Sequence, residues 1–201
     1  MAIQFPEKFN MADYFLYHNV EKGRADKTCL YYQDQTYTYG DAVRWSNRAG
    51  NALRECGMRV EDRVLLVMPD CPEFAWTWFG TSQAGGVITM VNPLLMPDDY
   101  RYYLEYTRAS VAVVHESVLP NFTAVAQNAK YLRNVLVTGN EAGDFLSFKD
   151  TLAQMPDEQR RGMERSARRR ALEFDWGAFV DPLDNHLDGY RPVELGAAVS
   201  W

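Results

Sequence analysis

The stretch RVLLVMPDCPEFAWTWFGTSQAGGVITMVNP, residues 63–93, contains a strand, a helix and a second strand in that order. Residues 64–68 form an unbroken apolar run, which is typical of a parallel strand buried on both faces. The helix is predicted to begin near Pro72, because a proline in the first turn loses only an N–H that would have had no intrahelical partner. Asp70 or Cys71 can cap that helix.

Two adjacent glycines, Gly85 and Gly86, predict the end of this helix. Residues 87–91 are again mostly apolar, and we expect them to form a second strand buried like the first. A helix that joins two neighbouring parallel strands makes a βαβ unit, whose crossover is expected to be right-handed. Residues 63–93 therefore predict the central unit of an α/β sheet.

The same alternation extends along the chain in both directions. Upstream, two short β-rich runs flank a polar turn and predict a hairpin, which is followed by a helix that ends at Gly57. The predicted strands are 28–32, 36–39, 111–114 and 134–138, and the predicted helices are 11–18, 41–56, 119–132, 145–155 and one that begins at Pro97. The predicted fold class is therefore α/β, with a wound, mainly parallel sheet and crossover helices, preceded by a β-hairpin.

The pattern changes beyond Gly139. An arginine-rich run, RRGMERSARRR, covers residues 160–170, and the residues after it show no sustained period of 2 or 3.6. We therefore divide the chain into a domain at residues 1–155 and an irregular, Arg-rich tail at residues 156–201, which is either out of frame or disordered.

The overall composition argues against several classes of protein. Of 201 residues, 47% are hydrophobic and 24% charged, which is ordinary for a globular domain. The formal net charge of −6 argues against attraction of the whole surface to nucleic acid or anionic lipid. Three cysteines without a C-x-x-C pair indicate neither a disulfide framework nor a zinc site. Because the sequence has no apolar leader and no run of membrane length, we expect a cytoplasmic protein without a membrane partner.

Wound α/β sheets bind phosphates at glycine-rich turns that lead into helices, and the usual motifs are missing. No G-x-G-x-x-G or G-x-S-x-G occurs, and the turn after residues 64–68 places Asp70 where a pyrophosphate would lie. Gly80 and Gly85 have the separation of P-loop glycines, but Gly86 replaces the lysine and the segment is helical by pattern. We therefore assign no catalytic, cofactor-binding or metal-binding residue to this chain.

One cysteine and three histidines have the chemistry of site residues. Cys71 at a helix N-terminus is a candidate thiolate, but no histidine is near it in sequence, so a structural thiol is favoured. His115 follows a predicted strand, where site residues often lie, whereas His18 and His186 are isolated. For each histidine, a solvated or capped side chain is favoured over catalysis.

Three aromatic or basic clusters also have a structural and a functional interpretation. For the aromatic cluster within residues 74–79, sheet contacts are favoured over an aromatic ligand pocket. For the tyrosine and arginine cluster within residues 100–108, a solvated helix face is favoured over nucleic-acid binding, because acidic residues lie among its members. For the run 160–170, acidic neighbours favour a solvated helix or linker. The first cluster is Phe74, Trp76, Trp78 and Phe79, and the second is Tyr100, Arg101, Tyr102, Tyr103, Tyr106 and Arg108.

The order of these pieces resembles the N-terminal region of the adenylate-forming acyl/aryl-CoA ligases, the AMP-dependent synthetase/ligase family, and most closely their benzoate–CoA ligase type. Three stretches carry the resemblance: residues 9–20, residues 36–58 with the hairpin and the helix that ends in Gly57, and residues 63–114 with the segments P-E-F, G-G-V and V-N-P. The resemblance covers about residues 8–155.

This resemblance implies a two-step reaction in intact relatives. A carboxylic acid, expected to be aromatic, reacts with ATP to give an acyl-AMP and pyrophosphate, and the acyl group then passes to the thiol of CoA. ATP, Mg²⁺ and CoA are the cofactors that the resemblance implies for such relatives, and none of them is assigned to this chain. The family's Ser/Thr/Gly-rich loop that ends in Pro-Lys-Gly has no counterpart in this sequence. We therefore expect a fragment truncated before that loop, by a frameshift or gene truncation after about residue 155, and inactive alone.

A non-catalytic alternative is an interaction module that pairs with a separately encoded remainder of the ligase. Such a module would expose an apolar surface, and it would associate with the missing portion or with itself. A nucleic-acid binder that uses the run 160–170 is the least favoured reading, so no nucleic-acid partner is expected.

Overall fold

A computed structural model describes residues 9–158 of the chain. These residues lie within one compact unit. The run 160–170 and most of the predicted tail lie outside the described residues, so the division at residue 155 stays a prediction. Within 9–158, no helix combines the length and the apolar character that a membrane span requires.

The described residues form strands, α-helices and a few shorter helical segments. The strands are β1 (Thr28–Tyr32), β2 (Gln35–Thr38), β3 (Arg63–Val67), β4 (Val87–Met90), β5 (Val111–His115), β6 (Asn134–Thr138) and β7 (Leu146–Ser147). The α-helices are α1 (Tyr39–Glu55), α2 (Pro72–Gln83), α3 (Pro97–Thr107), α4 (Leu119–Ala126) and α5 (Phe148–Ala153). The shorter segments are π-helical at Asp13–Tyr17 and Val20–Arg24 and 3₁₀ at Glu116–Val118.

The hairpin pairs β1 with β2 in antiparallel register around a turn at Gln33, whose φ of 50° is left-handed. Its second strand leads directly into α1, which Thr38 caps. The Thr38 hydroxyl accepts from the Asp41 amide at 3.1 Å, and the Asp41 carboxylate accepts from the Thr38 amide at 2.9 Å. The predicted hairpin and the helix that follows it are confirmed.

The strands β3 to β7 form one parallel sheet in the order β4-β3-β5-β6-β7. The chain first steps from β3 to β4 through α2, and then returns past β3 to β5 and continues outward. This is the order of a doubly wound sheet, with its reversal between β3 and β5. The predicted wound parallel sheet is confirmed, and it contains one strand more than predicted, β7.

Each face of the sheet carries its own hydrophobic layer, because alternate residues of a strand point to opposite faces. On one face, Val64, Leu66 and Val113 pack with residues of α1, α2 and α5. On the other face, Leu65 and Val67 pack with residues of α3 and α4. Helices therefore cover both faces, which explains why the central strands are apolar at consecutive positions.

The position of β4 differs from its prediction. We expected residues 87–91 to be buried like the first strand, but Val87 is 46% exposed and Met90 is 58% exposed. Among the described strands, β4 pairs only with β3 and so lies at an edge of the sheet. An apolar run shows that a strand exists, but it carries no information about how many neighbours the strand has.

Helix α4 is shorter than the predicted helix 119–132, because it ends at Ala126. The amide of Gln127 still bonds four residues back, to Thr123 at 3.1 Å, whereas the amide of Asn128 bonds only three residues back, to Val125 at 3.2 Å. This tightening into 3₁₀-type turns marks the end of the helix.

Candidate functional site

The doubly wound order places the candidate site at the carboxyl ends of β3 and β5. Open α/β sheets leave a crevice where the strand order reverses, and their ligands bind there. In this chain the crevice is bounded by residues 68–71, which follow β3, and by the 3₁₀ segment Glu116–Val118, which follows β5. The residues that follow β4 and β6 belong to the same edge of the sheet.

Cys71 lies at this edge as the N-cap residue of α2, and its side chain makes no capping hydrogen bond. Its Sγ lies 3.8 Å from Sδ of Met68. Burial raises the pKa of the Cys71 thiol to about 11. The thiol is therefore protonated at neutral pH, which favours the structural interpretation over an activated nucleophile.

His115 ends β5, where the sequence placed it. Its Nδ1 accepts from the Ser117 amide at 3.1 Å and lies 2.8 Å from the Ser117 hydroxyl oxygen. The ring thus caps the short 3₁₀ segment that follows the strand. This geometry favours a structural role for His115, as a capping residue, over catalysis.

The other histidines do not contribute to this edge within the described residues. His18 lies in the N-terminal helical region, with its Nδ1 3.8 Å from the Glu21 carboxylate. His186 lies outside residues 9–158. Across those residues, no three His, Cys, Asp or Glu side chains are grouped closely enough to hold a metal ion.

The side chain of Glu116 joins the ends of β5 and β6. Its carboxylate accepts from the amides of Asn140 at 2.6 Å and Glu141 at 2.8 Å, and these two bonds lower the pKa of Glu116. Gly139 makes the approach possible, because it adopts a φ of 109° and has no side chain in the way. The protein's own carboxylate therefore occupies two amide donors at this edge, which are not free to bind another anion.

The crossover helices begin with a proline in the first turn, which is Pro72 in α2, Pro97 in α3 and Pro120 in α4. Proline supplies no N–H, and acidic residues follow it in α2 and α3. In α3, the Asp99 carboxylate also accepts from the Met96 amide at 3.1 Å. These helix starts offer few donors to an anion, so the described residues at this edge do not fit the triphosphate of ATP.

The aromatic side chains of α2 are part of the core, which agrees with the predicted sheet contacts and not with an aromatic ligand pocket. Trp76 is buried and meets Tyr37 of the hairpin edge to face, with 5.4 Å between ring centroids. Trp78 and Phe79 form a second edge-to-face pair at 4.9 Å. All of them pack in the hydrophobic layer between α1, α2 and the sheet.

The tyrosine cluster of α3 divides between the core and the surface. Tyr100 is fully buried against Phe122, and its hydroxyl donates to the Asn92 carbonyl at 3.3 Å. Tyr102 and Tyr106 are exposed and stack on each other, with 5.5 Å between ring centroids. This arrangement is that of an amphipathic helix with a solvated outer face.

A groove of about 210 Å³ lies beside the outer strands, where no sequence pattern predicted one. Ala126, Leu132 and residues 144–146 line it together with the first residues of β6. Arg133 borders this groove, but its guanidinium donates to the Gly57 carbonyl and lies 3.2 Å from the Asp62 carboxylate. The groove therefore lies at the start of β6, away from the carboxyl ends where α/β sheets bind ligands.

Residues 16–172 match the protein family described as AMP-binding enzyme. The benzoate–CoA ligase of Thauera aromatica is 35% identical over 147 residues, which make up 73% of this chain and 28% of that ligase. The 4-hydroxybenzoate–CoA/benzoate–CoA ligase of Rhodopseudomonas palustris is 30% identical over 145 residues, or 72% of this chain and 27% of that protein. The chain therefore spans less than a third of the length of these curated relatives.

Solved structures show the same relationship. An anthranilate CoA ligase in complex with anthranoyl-AMP matches with a TM-score of 0.72 and 32% identity, over 77% of this chain and 30% of that one. A benzoate CoA ligase from Burkholderia xenovorans matches with a TM-score of 0.66 and 28% identity, over 74% of this chain and 29% of that one. The resemblance inferred from the sequence is confirmed, and the chain belongs to the AMP-binding enzyme family.

Proposed function

We propose that the chain forms the N-terminal sheet portion of an aromatic acid–CoA ligase and does not carry out adenylation by itself. The relatives named above act on benzoate, hydroxybenzoate or anthranilate, so an aromatic carboxylic acid is the proposed substrate class. In such a ligase, the acid would react with ATP to give an acyl-AMP and pyrophosphate, and the CoA thiol would then displace AMP. Both steps require groups that hold phosphates.

This proposal rests on one observation: backbone N–H donors at the carboxyl edge of the sheet already bind a carboxylate of the protein itself. The amides of Asn140 and Glu141 already donate to Glu116, and the helix starts carry prolines and carboxylates. An ATP molecule at this edge would meet negative charge and few free N–H groups. The adenylation chemistry is therefore assigned to residues other than 9–158, and the role proposed for these residues is to build the sheet.

A pyrophosphate-release assay tests this division. The purified 201-residue chain is incubated with benzoate, ATP, Mg²⁺ and CoA, with the benzoate–CoA ligase of Thauera aromatica as the positive control. We expect benzoate-dependent release from the control only. Sustained release by the 201-residue chain would show that the proposed division is wrong.

ATP binding supplies a second readout that does not depend on turnover. A ligand present at one hundred times its Kd stabilises the folded state by about 2.7 kcal/mol, which raises the melting temperature by several degrees. We expect no such shift for this chain with millimolar Mg·ATP. A saturable shift would contradict the assignment of ATP binding to residues other than 9–158.

A second candidate function is the interaction module that pairs with a separately encoded ligase remainder, and the edge strand β4 favours it. Residues 74–97 contain no charged side chain, and the exposed apolar residues Val87, Met90, Leu94 and Met96 lie within this stretch. Proteins usually protect exposed edge strands with charges or bulges. An unprotected apolar edge is typical of a surface that another polypeptide covers.

Co-expression separates this candidate from the first. The chain is expressed with a tagged partner that contains the part of the Thauera aromatica ligase beyond the matched residues, and the two are purified through the tag. The interaction module predicts co-purification of the chain and its loss in Met90→Lys, which places a charge on the exposed edge. The control is Glu105→Lys, on the solvated face of α3, which should leave co-purification unchanged.

A further inference from the structure

Two asparagines of α1 hold three consecutive backbone carbonyls near the end of the described residues. The Asn51 side-chain amide donates to the Pro156 carbonyl at 3.1 Å and to the Glu158 carbonyl at 3.0 Å. The Asn47 side-chain amide donates to the Asp157 carbonyl between them at 2.7 Å. Because residues four apart lie on the same face of a helix, both amides point at the same segment.

Both asparagines are buried, and Asn47 is also held through its side-chain oxygen. Asn47 is 6% exposed and Asn51 is 2% exposed. The Asn47 side-chain oxygen accepts from the Tyr17 hydroxyl at 2.6 Å, and Gln83 of α2 donates to the same hydroxyl oxygen. The network thus ties together the N-terminal helical region, α1 and α2, and buried hydrogen bonds of this kind are costly to break.

The segment 156–158 is held by its main chain and not by burial of its side chains. The side chains of Pro156, Asp157 and Glu158 are all exposed. One further contact fixes the register, because the Arg48 guanidinium donates to the Asp157 carboxylate. Arg48 also lies over the Trp45 ring, 5.2 Å from its centroid, which limits the freedom of its side chain.

We propose that Asn47, Arg48 and Asn51 form a clasp that holds residues 156–158 against α1. Asn47 and Asn51 bind backbone carbonyls, and Arg48 adds the contact that depends on a side chain of the segment, the Asp157 carboxylate. The inference rests on the proposed function in one respect: the family match continues to residue 172, so the segment that follows the clasp still belongs to the ligase domain. The three clasp residues are positioning residues and not catalytic ones.

Proteolysis of the full-length chain tests the clasp. A Glu-specific protease cleaves after Glu158, and its rate follows the fraction of molecules in which that segment is released. Asn51→Ala removes two of the three carbonyl bonds, and a loss of about 1.4 kcal/mol raises the open fraction tenfold. We expect cleavage after Glu158 to be about tenfold faster, with cleavage after the exposed Glu61 unchanged.

Two more variants complete the test. Arg48→Met keeps an unbranched stem against Trp45 but loses the ion pair, and should raise cleavage after Glu158 about twofold to fivefold. Asn128→Ala removes an exposed asparagine that donates to the Ala124 carbonyl at 2.8 Å, and should change nothing.

The clasp would be wrong if Asn51→Ala left cleavage after Glu158 unchanged, or raised cleavage after Glu61 by the same factor, since the second result would indicate general unfolding. Arg48→Met provides the test if Asn51→Ala fails to fold, because Arg48 is only half-buried. An unchanged rate after Glu158 overturns the clasp, and a selective rise supports it. The readout needs neither ATP nor CoA. A negative result here therefore leaves the ligase proposal standing, and turnover in the pyrophosphate assay would leave the clasp standing.

Discussion

Gly50 of α1 and Gly80 of α2 face each other with their backbones in direct contact. A Cβ atom added at Gly80 would lie 2.7 Å from the Gly50 nitrogen, and one added at Gly50 would lie 2.9 Å from the Gly80 carbonyl oxygen. Side-chain carbons do not come this close to backbone atoms, so glycine at both positions allows the helices to approach. The two helices cover the same face of the sheet, and this contact sets the distance between them.

Replacement of Gly80 by alanine should destabilise the chain by about 1–3 kcal/mol, which is the usual cost of forcing extra atoms into a packed contact. In a solvent-exposed helix the same change would be favourable, because alanine is the better helix former. The sign of the effect therefore reports on the contact. Urea denaturation followed by circular dichroism measures it.

The matched control is Ser82→Ala in the same helix, which removes an oxygen and adds no atom. We expect its urea midpoint to stay close to that of the parent chain. If Gly80→Ala proved as stable as the parent, the close approach of α1 and α2 would be wrong.

Cys71 should be almost inert toward alkylation in the folded chain. Burial raises the pKa of the Cys71 thiol from 9.0 to about 11, so its thiolate fraction at pH 8 is about a hundredfold lower than that of an unburied thiol. Reaction with iodoacetamide should therefore be on the order of 100-fold slower than for the same peptide in urea. Peptide mapping of the alkylated chain follows Cys71 individually, and a native rate equal to the unfolded rate would exclude the buried, protonated thiol.

Much of the fold could be predicted from sequence because the signals are local. The apolar run at 64–68, the first-turn proline Pro72 and the glycines at 85–86 each depend on a few neighbouring residues. Strand order depends on pairing between segments that are distant in sequence, so the edge position of β4 was missed. Strand β7 was also missed, because a two-residue strand is too short to show a period.

The polar contacts of the candidate site and of the clasp could not be predicted, because they join residues that are distant in sequence. Glu116 reaches amides 24 and 25 residues further on, and Asn51 reaches a carbonyl 105 residues away. A single glutamate or asparagine carries no local sign of such a partner. The absence of phosphate motifs was visible from sequence, whereas the carboxylate that occupies the amide donors was not.

Glu116 should make the stability of the chain depend on pH in the acid range. Its two amide bonds lower its pKa in the folded state, so its stabilising effect is complete above the ordinary glutamate value of about 4.3. The effect is lost as the pH falls from there through the lower, folded value. The urea midpoint should therefore decline as the pH falls below about 5, and it should decline less steeply in Glu116→Gln, which cannot be protonated.

Other carboxylates contribute to acid destabilisation, so a control is required for this slope. Glu105→Gln changes an exposed glutamate of α3 and should leave the pH dependence as in the parent chain. A Glu116→Gln profile that ran parallel to the parent profile at every pH would contradict the role given to the two amide bonds.

Gly139 should tolerate alanine less well than Gly143, although both have positive φ and lie between β6 and β7. At Gly139, with a φ of 109°, a Cβ atom would lie 2.6 Å from Oε2 of Glu116 and would displace the carboxylate from its two amides. At Gly143, with a φ of 59°, the nearest atom is 4.0 Å away, so only backbone strain remains. We expect a loss of about 1 kcal/mol for Gly143→Ala and a larger loss for Gly139→Ala in urea denaturation at pH 7. The Gly139→Ala variant should also show the shallower acid slope of Glu116→Gln, since displacement of the carboxylate removes the same hydrogen bonds. Equal losses of stability in the two variants, together with an unchanged acid slope, would show that Glu116 does not join the ends of β5 and β6.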